Sequence, residues 1–530
     1  MSSTEHEAEG KEAPAASTGT EDTRVDRRRF LGSVVTGSVA ASAGLVGVSQ
    51  RAEAGVMFPT ERGKFGAGGS VAGAVHRAES DLYDCEVEGD LPADLDGCFY
   101  RVGPDPQYPK PEEWQNDIAF DGEGHVTYWR IKNGHVDYKS RYVKNQRWRA
   151  QHDARRSLFH MYRNPATDDP SVKGLSRSTA NTQIWYFNNM LLAMKEDSPP
   201  VAMNPLTLDV IDDAYRFNGG MKGETFTAHP KIDSRTGEMI AFGYEASGLL
   251  SEDIEVFTAD PKTGNVTWSA WIKAPYACMI HDFAATERHI AFLITPMTSS
   301  RQVIDARGPH FGWDSTLPSW LGVMRRGGDG KDIRWFRGPG EMATHTMGAW
   351  SDGDVFYWDV DGAESNQFPF FPHLHDKWDP AKAVGHVRRM KVDLSKRQDH
   401  YEVEIMYPEV SGVLARQDDR YHTEPYRWGY LIGGKGWVIF DHQKQTYKEF
   451  GLPDTSLAEM VFVPRNRNAA EGDGYLIGVA TRRNEAGRSD VIIIDAQHPE
   501  DGVIATVHMP YRVPGQVHGF WVNGWQLPTA

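Results

Sequence analysis

The chain has few cysteines, no excess of basic residues and no long apolar run, and each lack excludes a class of protein. Its three cysteines, Cys85, Cys98 and Cys278, are too few and too widely spaced for a disulfide framework or a zinc motif. Lys and Arg number 57 against 73 Asp and Glu, and the net charge of −16 disfavours nucleic acid and anionic membrane surfaces as partners.

The first 54 residues differ in composition from the rest and are typical of a processing segment. Residues 1–26 are rich in Ser, Thr, Glu and Ala, which predicts disorder. The sequence RRRFL at 27–31 is followed by small and apolar residues at 33–48 and by AEA at 52–54. This order of charged segment, short apolar segment and cleavage site is that of a signal peptide. The twin arginine before Phe-Leu indicates the Tat type.

We therefore predict a bacterial protein that the Tat route exports to the periplasm or to the outside of the cell. The apolar segment is rich in Gly and Ser, so we expect no stable membrane span in the mature form. The alternative is a basic amphipathic helix or a membrane anchor. A linker at 55–80 follows, and the absence of any later break in composition predicts one large domain at 81–530.

The domain is dominated by short strand patterns with turn signals between them, and no amphipathic helical pattern exceeds a few turns. Asn188-Asn189, for example, predicts a hairpin turn between two apolar runs. The number of predicted strands is too large for a single β-sandwich, which favours an all-β propeller. The sequence contains no WD or kelch signature of a repeat. The clearest predicted strands are 184–187, 190–194, 238–244, 289–294, 354–360, 437–440, 475–480 and 491–494.

Four histidines stand where a predicted strand meets a turn: His229, His281, His345 and His518. The first three are spaced by 52 and 64 residues, roughly one propeller blade each, so successive blades would aim them at one point on the axis. Four neutral imidazoles suit Zn, Cu, Fe or Ni. The alternatives are four unrelated histidines, or a site at His373-Leu374-His375, for which a solvated loop is the favoured interpretation.

Several blocks of the sequence resemble the signature blocks of the carotenoid cleavage oxygenase family, in the family's order. They are LPADLDGCFYRVGPDP at 91–106, FDGEGHV at 120–126, TAHPK at 227–231, HDF at 281–283, AEMVFVPR at 458–465 and VPGQVHGFW at 513–521. The resemblance implies a seven-bladed β-propeller with a loop and helix cap over an axial metal site. It also implies one non-haem Fe(II) ion, with His229, His281, His345 and His518 as its ligands.

The family orients its histidines with three glutamates, and the resemblance identifies two of them as Glu196 and Glu459. The third belongs to a Glu-Phe-Pro-Arg block, which here reads VLAR at 413–416. Val413 therefore stands where a glutamate is expected. The substitution leaves open how His345 is oriented, with Glu409 and Glu424 as the candidates for a replacement.

Two further blocks, MYRNPATDDPSVKG at 161–174 and AMKEDSPP at 193–200, resemble the lignostilbene dioxygenase branch of the family. The resemblance implies that Tyr162 and Lys195 bind the substrate's 4-hydroxyl group and help it ionise, while Phe120 packs on the ring. A phenolate pushes electron density toward the alkene, and a buried lysine has a readily shifted pKa. Without the resemblance, Lys195 is interpreted as a strand-end lysine that reaches water, and Tyr162 and Phe120 as core aromatics.

These features predict an Fe(II)-dependent dioxygenase that acts on an aromatic alkene and O₂. It would cleave the central C=C of 4-hydroxystilbenes and release two aromatic aldehydes. One alternative is an apocarotenoid or carotenoid cleavage oxygenase, which would bind a long polyene and be indifferent to a 4-hydroxyl group. A second is a catalytically silent propeller that binds a ligand or a partner.

Overall fold

The computed structural model describes residues 76–528, with gaps at 115–116 and 119. The predicted disordered segment, the Tat-type signal and most of the predicted linker at 55–80 lie outside the described residues. The described end of that linker already packs against the fold. The backbone N–H groups of His76 and Arg77 donate to the carboxylate of Asp105 at 2.7 and 2.8 Å, and the first strand begins at Ser80.

The described residues form 33 strands, which are numbered in chain order. The first seventeen are β1 Ser80–Leu82, β2 Val87–Gly89, β3 Gly97–Pro104, β4 Gly124–Lys132, β5 His135–Tyr142, β6 Gln183–Phe187, β7 Met190–Met194, β8 Val201–Met203, β9 Val210–Asp212, β10 Lys231–Ile232, β11 Met239–Tyr244, β12 Asp253–Ala259, β13 Val266–Lys273, β14 Phe283–Ala285, β15 His289–Ile294, β16 Met297–Ser299 and β17 Phe311–Trp313. The others are β18 Trp320–Arg325, β19 Arg334–Arg337, β20 Met342–Asp352, β21 Val355–Ala363, β22 His386–Asp393, β23 Glu402–Ile405, β24 Gly412–Gln417, β25 Trp428–Gly433, β26 Gly436–Asp441, β27 Thr446–Phe450, β28 Thr455–Leu457, β29 Val461–Pro464, β30 Gly474–Arg482, β31 Arg488–Asp495, β32 Val503–His508 and β33 His518–Asn523.

The strands form seven antiparallel sheets, which are the blades of a β-propeller, and β16 and β17 pair separately. From the axis outward, blade 1 is β33-β3-β4-β5-β1, blade 2 is β6 to β9 and blade 3 is β10 to β13. Blade 4 is β14-β15-β18-β19, blade 5 is β20 to β23 and blade 6 is β24 to β27. In blade 7, β28 and β29 both pair with β30, and β31, β32 and β2 follow. The predicted all-β, seven-bladed fold is confirmed.

The two ends of the domain interlock. The last strand, β33, pairs with β3 from Gly97↔Asn523 to Val102↔His518, and the early strand β2 pairs with β32 in blade 7. Both pairings join the two ends of the domain by backbone hydrogen bonds and so close the ring, and β1 and β2 remain the outer edges of their sheets. The closure also places the start of β33 at the innermost position of blade 1.

Helices are short in the described part of the chain. The two α-helices are α1 Gln146–Ala154 and α2 Arg301–Asp305, and both lie in connections between strands. Neither they nor the single-turn 3₁₀ segments of the described residues are long and apolar enough to span a membrane.

The predicted hairpin at 184–194 is confirmed, with β6 and β7 on either side of the turn. Asn188 and Asn189 have φ values of 48° and 59°, as a two-residue type I′ turn requires. Asparagine tolerates this left-handed conformation better than most residues, and the turn's twist matches that of the strands. The turn fixes the register of β6 and β7, and so sets where the chain leaves β7.

The core consists of apolar side chains between neighbouring blades. Trp129 of blade 1 and Ile477 of blade 7 belong to one buried cluster, and Trp437 of blade 6 and Ile492 of blade 7 belong to another. Because each inner strand is covered on both faces, its sequence is an apolar run and not an alternation of polar and apolar residues.

Candidate metal centre and substrate site

The four predicted histidines lie on the innermost strands of four blades or directly before them. His229 lies two residues before β10, His281 lies two residues before β14, and His518 is the first residue of β33. His345 differs from the prediction, because it lies inside the eleven-residue strand β20 and not at a strand end. Innermost strands line the axis of a propeller, so the four side chains converge although they are distant in sequence.

The imidazole rings meet at one buried point. Nε2 of His281 lies 3.2 Å from Nε2 of His229 and 3.1 Å from Nε2 of His345, and the four ligand atoms are all within 4.8 Å of one another. Nitrogens about 2.1 Å from a common ion stand about 3.0 to 3.4 Å apart. Nε2 of His518 is buried without a hydrogen-bond partner in the described structure. The four residues therefore fit a bound metal ion.

The rival pair at His373-Leu374-His375 does not form such a site. Nδ1 of His373 lies 2.7 Å from Oδ1 of Asp376, and Nε2 of His375 lies 3.4 Å from Oδ1 of Asp314. The four axial histidines are the one cluster of three or more potential ligands in the described residues.

Three of the histidines bind a carboxylate through the ring nitrogen that faces away from the centre. Nδ1 of His281 lies 2.5 Å from Oε1 of Glu196, and Nδ1 of His518 lies 2.9 Å from Oε1 of Glu459. Each carboxylate accepts the Nδ1 proton, which leaves the Nε2 lone pair directed to the centre and holds the ring at one angle.

His345 has a carboxylate partner that the sequence did not indicate. Its Nδ1 lies 3.1 Å from Oδ2 of Asp361, a fully buried residue on β21. The expectation that Glu409 or Glu424 takes this role is wrong. Glu409 is exposed, and the Glu424 carboxylate accepts a hydrogen bond from the Ser234 hydroxyl at 2.8 Å.

Burial keeps two of the four ligands, His229 and His518, in the neutral form, whereas the Glu196 carboxylate raises the pKa of His281 against the effect of burial. Burial, with the three other imidazoles, holds the pKa of His229 well below its usual value. Burial also lowers the pKa of His518 to about 4, although the Glu459 carboxylate acts in the opposite direction. Burial would raise the pKa of Glu459, but His518, Arg416 and Arg101 together outweigh burial and lower that pKa to about 2. Neutral imidazoles and ionised carboxylates are the forms that metal binding needs.

The predicted substrate residues also lie together. Lys195 and Tyr162 are 3 % and 4 % exposed, and the ammonium nitrogen lies 4.8 Å from the centre of the Tyr162 ring. In the described structure, its one hydrogen-bond acceptor is the backbone carbonyl of Phe120, at 3.4 Å. The ammonium group therefore keeps donors for a ligand. Lys195 also directly precedes Glu196, so the chain leaving β7 supplies both the lysine and the partner of His281.

A group of phenylalanines connects this pair to the metal centre, and sequence reasoning missed most of it. We call it the aromatic wall: Phe120, Phe368, Phe370 and Phe371. The ring of Phe371 lies 5.8 Å from that of Tyr162, and the ring of Phe368 lies 6.2 Å from that of His281. The signal in the sequence was FPFFP at 368–372, where aromatic residues and prolines alternate in a connection between strands.

Burial disfavours the charged forms of Lys195 and Tyr162, the two polar groups of the substrate site. It lowers the pKa of Lys195 below its usual value, although Asp197 and Asp121 favour the charged form. It raises the pKa of Tyr162 well above the usual range, with the Glu196 carboxylate adding to the effect. Tyr162 is therefore a neutral hydrogen-bond donor, whereas Lys195 gives up its proton more readily than an exposed lysine does.

The cysteines take no part in this chemistry. Cys85, Cys98 and Cys278 are all free thiols. Burial raises the pKa of Cys85 to about 11 and those of Cys98 and Cys278 to about 12. Burial therefore disfavours the thiolate form, which nucleophilic catalysis by cysteine requires.

The fold and the site define a seven-bladed propeller protein with four axial histidines that could hold a metal ion. The profile of the family described as RPE65, retinal pigment epithelial membrane protein, matches residues 73–523. The chain belongs to this family of carotenoid oxygenases and is an oxygenase of the non-haem iron class.

Its relatives include enzymes named for phenolic alkenes. The chain is 39 % identical over 480 residues to lignostilbene-alpha,beta-dioxygenase isozyme III of Sphingomonas paucimobilis, an alignment that covers 86 % of this chain and 96 % of the relative. It is 36 % identical to an isoeugenol monooxygenase of Pseudomonas nitroreducens, with 84 % and 96 % covered. The crystal structure of Pseudomonas brassicacearum lignostilbene dioxygenase superimposes with a TM-score of 0.83 at 34 % identity, covering 88 % of this chain and 99 % of that one.

Proposed function

We propose that the protein is an Fe(II)-dependent dioxygenase that cleaves the central C=C of 4-hydroxystilbenes and releases two aromatic aldehydes. The observation that carries the proposal is the position of Lys195. It is a buried lysine beside Tyr162, and the next residue in the chain supports a histidine of the metal centre. A buried cation is costly unless it has a partner, so a phenolic oxygen is a fitting ligand for it.

His229, His281, His345 and His518 would hold one Fe(II) ion. Bound there, the ion supplies open coordination positions at which dioxygen is activated. Glu196 and Glu459 orient two of the ligands and add negative charge beside the cation.

Lys195 and Tyr162 would hold the substrate's 4-hydroxyl group between them. Tyr162 keeps its own proton because of its raised pKa, so its hydroxyl donates to the substrate oxygen. Burial lowers the pKa of Lys195, so its neutral amine would accept the phenolic proton at Nζ, and the ammonium group formed in this way would stabilise the phenolate. The phenolate then increases the electron density of the conjugated alkene, which makes the alkene more reactive toward dioxygen.

The aromatic wall would position the flat substrate. Phe120 and Phe370 make an edge-to-face contact at 5.4 Å, and Phe370 and Phe371 another at 5.0 Å. Such faces and edges accept a planar aromatic ring by stacking and exclude water from it. Since the wall runs from Tyr162 to His281, it leads from the hydroxyl end of the substrate to the metal centre.

A 4-hydroxyphenylpropene is the second candidate substrate, because an isoeugenol monooxygenase is 36 % identical to the chain and Lys195 and Tyr162 would contact only the phenol end. A long polyene without a phenol would leave the buried ammonium group of Lys195 with the Phe120 carbonyl as its one acceptor, which disfavours the carotenoid alternative. The four converging histidines disfavour a silent binding protein.

The test is product analysis with the purified, iron-loaded protein. A 4-hydroxystilbene, its 4-methoxy analogue, a 4-hydroxyphenylpropene and an apocarotenal are supplied separately under ¹⁸O₂. We expect the 4-hydroxystilbene to give two aldehydes that each carry one ¹⁸O atom, and the methoxy analogue to react poorly. Cleavage of the apocarotenal without cleavage of either phenol would contradict the proposal.

A further inference from the structure

The carboxylate that binds His345 comes from a different strand than the resemblance implies. Val413, on β24 of blade 6, occupies the expected glutamate position and packs against the apolar cluster that contains Trp437 and Ile439. Asp361, on β21 of blade 5, lies in the same sheet as the histidine that it binds. No sequence motif pointed to this residue, and only the register of three strands brings it to the ring.

A bulge in β20 makes the contact possible. The register between β20 and β21 pairs Ala343 with Gly362 and Thr346 with Val360, so two residues on β20 face the single residue Asp361. A bulge of this kind redirects side chains on the longer strand. Here it lets one carboxylate oxygen accept from the backbone N–H of His345 at 3.0 Å and from the hydroxyl of Thr344.

A second bulge, in β24, supplies the last donor. The register between β24 and β25 shifts between Val413 and Arg416, and Leu414 there adopts a left-handed φ of 59°. The shift directs the backbone N–H of Ala415 to Oδ2 of Asp361 at 3.0 Å. That oxygen also faces the ring nitrogen of His345, so the two carboxylate oxygens together accept from four donors.

We propose that Asp361 is the positioning residue for His345 and replaces, from the neighbouring strand, the glutamate that Val413 displaces. The proposal rests on the metal-binding part of the proposed function alone. An aspartate has one methylene fewer than a glutamate, and this one is held by four donors, so it fixes the ring angle of His345 with little freedom of its own. A carboxylate so placed also keeps Nδ1 protonated and Nε2 available to the ion.

The first experiment measures iron affinity without substrate, by anaerobic competition with a chelator. Loss of a carboxylate that accepts a ligand's Nδ1 proton lowers metal affinity by roughly 10 to 100-fold. We expect Asp361→Asn to lower the iron affinity by roughly this factor. The matched control is Asp359→Asn. Asp359 lies two residues away on the same strand, is equally buried, and binds Arg389 and Tyr426 but no histidine. The folded fraction of this control should bind iron as the wild type does.

A spectroscopic measurement separates orientation from folding. In the cobalt-substituted protein, the visible absorption bands report the geometry of the ligands, and we expect Asp361→Asn to shift them while Asp359→Asn leaves them unchanged. Thr344→Val removes one donor that holds Asp361, without removing any carboxylate. It should shift the same bands to a smaller degree, and it provides the test if Asp361→Asn does not fold.

The rescue variant combines Asp361→Asn with Val413→Glu. It returns a carboxylate to β24 and should restore most of the lost iron affinity. The proposal would be overturned if Asp361→Asn had wild-type iron affinity and unshifted cobalt bands. If only Thr344→Val folds, the same result in that variant would overturn it. Asp361 would then serve only to accept the hydrogen bonds of the bulge in β20. If the wild type binds iron but cleaves no phenolic alkene, the proposed function fails and the assignment of Asp361 stands.

Discussion

His281 is held at both of its ring nitrogens. Glu196 holds its Nδ1, and its Nε2 faces two other ligand nitrogens at 3.1 and 3.2 Å. Tyr244 in turn donates to the second oxygen of Glu196 at 2.6 Å, so the carboxylate cannot rotate freely. A ligand fixed in this way contributes to the shape of the site as well as to its affinity.

Replacing His281 by alanine should remove bound iron and abolish turnover. A site with only three imidazoles binds the iron ion less tightly and no longer has the geometry of the centre. Metal analysis of the purified variant measures the loss. His373→Ala is the control, because that histidine lies outside the cluster. Full iron content and normal turnover in His281→Ala would remove this residue from the ligand set.

Lys195→Met should reduce kcat on a 4-hydroxystilbene far more than it raises KM. Removing one partner of a buried polar group costs on the order of 1–3 kcal/mol. The loss of phenolate stabilisation adds to this in the transition state more than in the ground state. Steady-state kinetics with the 4-hydroxy and 4-methoxy substrates give the measurement. Equal turnover of both substrates by the wild type would show that Lys195 takes no part.

At the scale of structural elements, Glu245 joins three segments around the substrate site. It follows β11 and binds Arg163 at 2.8 Å, the Ser299 hydroxyl at 2.5 Å and the His310 ring at 2.8 Å. Arg163 is the neighbour of Tyr162, so this carboxylate fixes the segment that presents the tyrosine. Burial alone would raise the pKa of Glu245, but Arg163 and the hydrogen bonds lower it to about 2.

Glu245→Gln should lower the free energy of unfolding at pH 7, and it should lower this free energy by a smaller amount at acidic pH. A carboxyl whose pKa is lower in the folded state stabilises the fold fully above the unfolded value of about 4.5, and this contribution disappears as the pH falls toward 2. A shift of this size corresponds to roughly 3 kcal/mol, as an order of magnitude.

Urea unfolding at pH 7 and pH 3 tests this expectation. The difference in unfolding free energy between wild type and Glu245→Gln should be smaller at pH 3. Glu224→Gln is the control, since the side chain of Glu224 is 63 % exposed in its ion pair with Arg216. A difference that does not change with pH would show that Glu245 acts through shape and not through charge.

At the scale of the whole molecule, the closure of the ring and the metal centre depend on the same strand. β33 completes blade 1 by pairing with β3, and its first residue is His518. A chain that has not closed its ring therefore lacks one metal ligand. Export in the folded state would suit a protein that takes up its metal before it leaves the cytoplasm.

We propose Tat export for this reason and because of the RRRFL sequence at 27–31. Replacing Arg27 and Arg28 by lysine should leave the folded, unprocessed protein in the cytoplasm. Cell fractionation with detection of the precursor and mature forms measures the outcome. Normal appearance of the mature form in the periplasm would contradict the Tat assignment and favour a different type of signal.

Much of the fold follows from local patterns. Strand β15 begins and ends at the predicted residues 289 and 294, and the Asn188-Asn189 turn has the conformation that its residues favour. Other strands extend beyond their predictions, as β21 does to Ala363. Polar and small residues there carry no strand signal, but pairing with β20 and β22 holds them in the sheet.

The sequence by itself determined many of the strands from residue type, and it determined the four histidines and the Lys195-Glu196 pair through the resemblance of their blocks to a known family. The tertiary structure alone decided that Asp361 serves His345 and that Phe368, Phe370 and Phe371 line the path from Tyr162 to the metal centre. These contacts depend on two bulges and on a long connection between strands. A bulge changes which residues face each other by one position, and such a shift of register leaves no mark in composition or spacing.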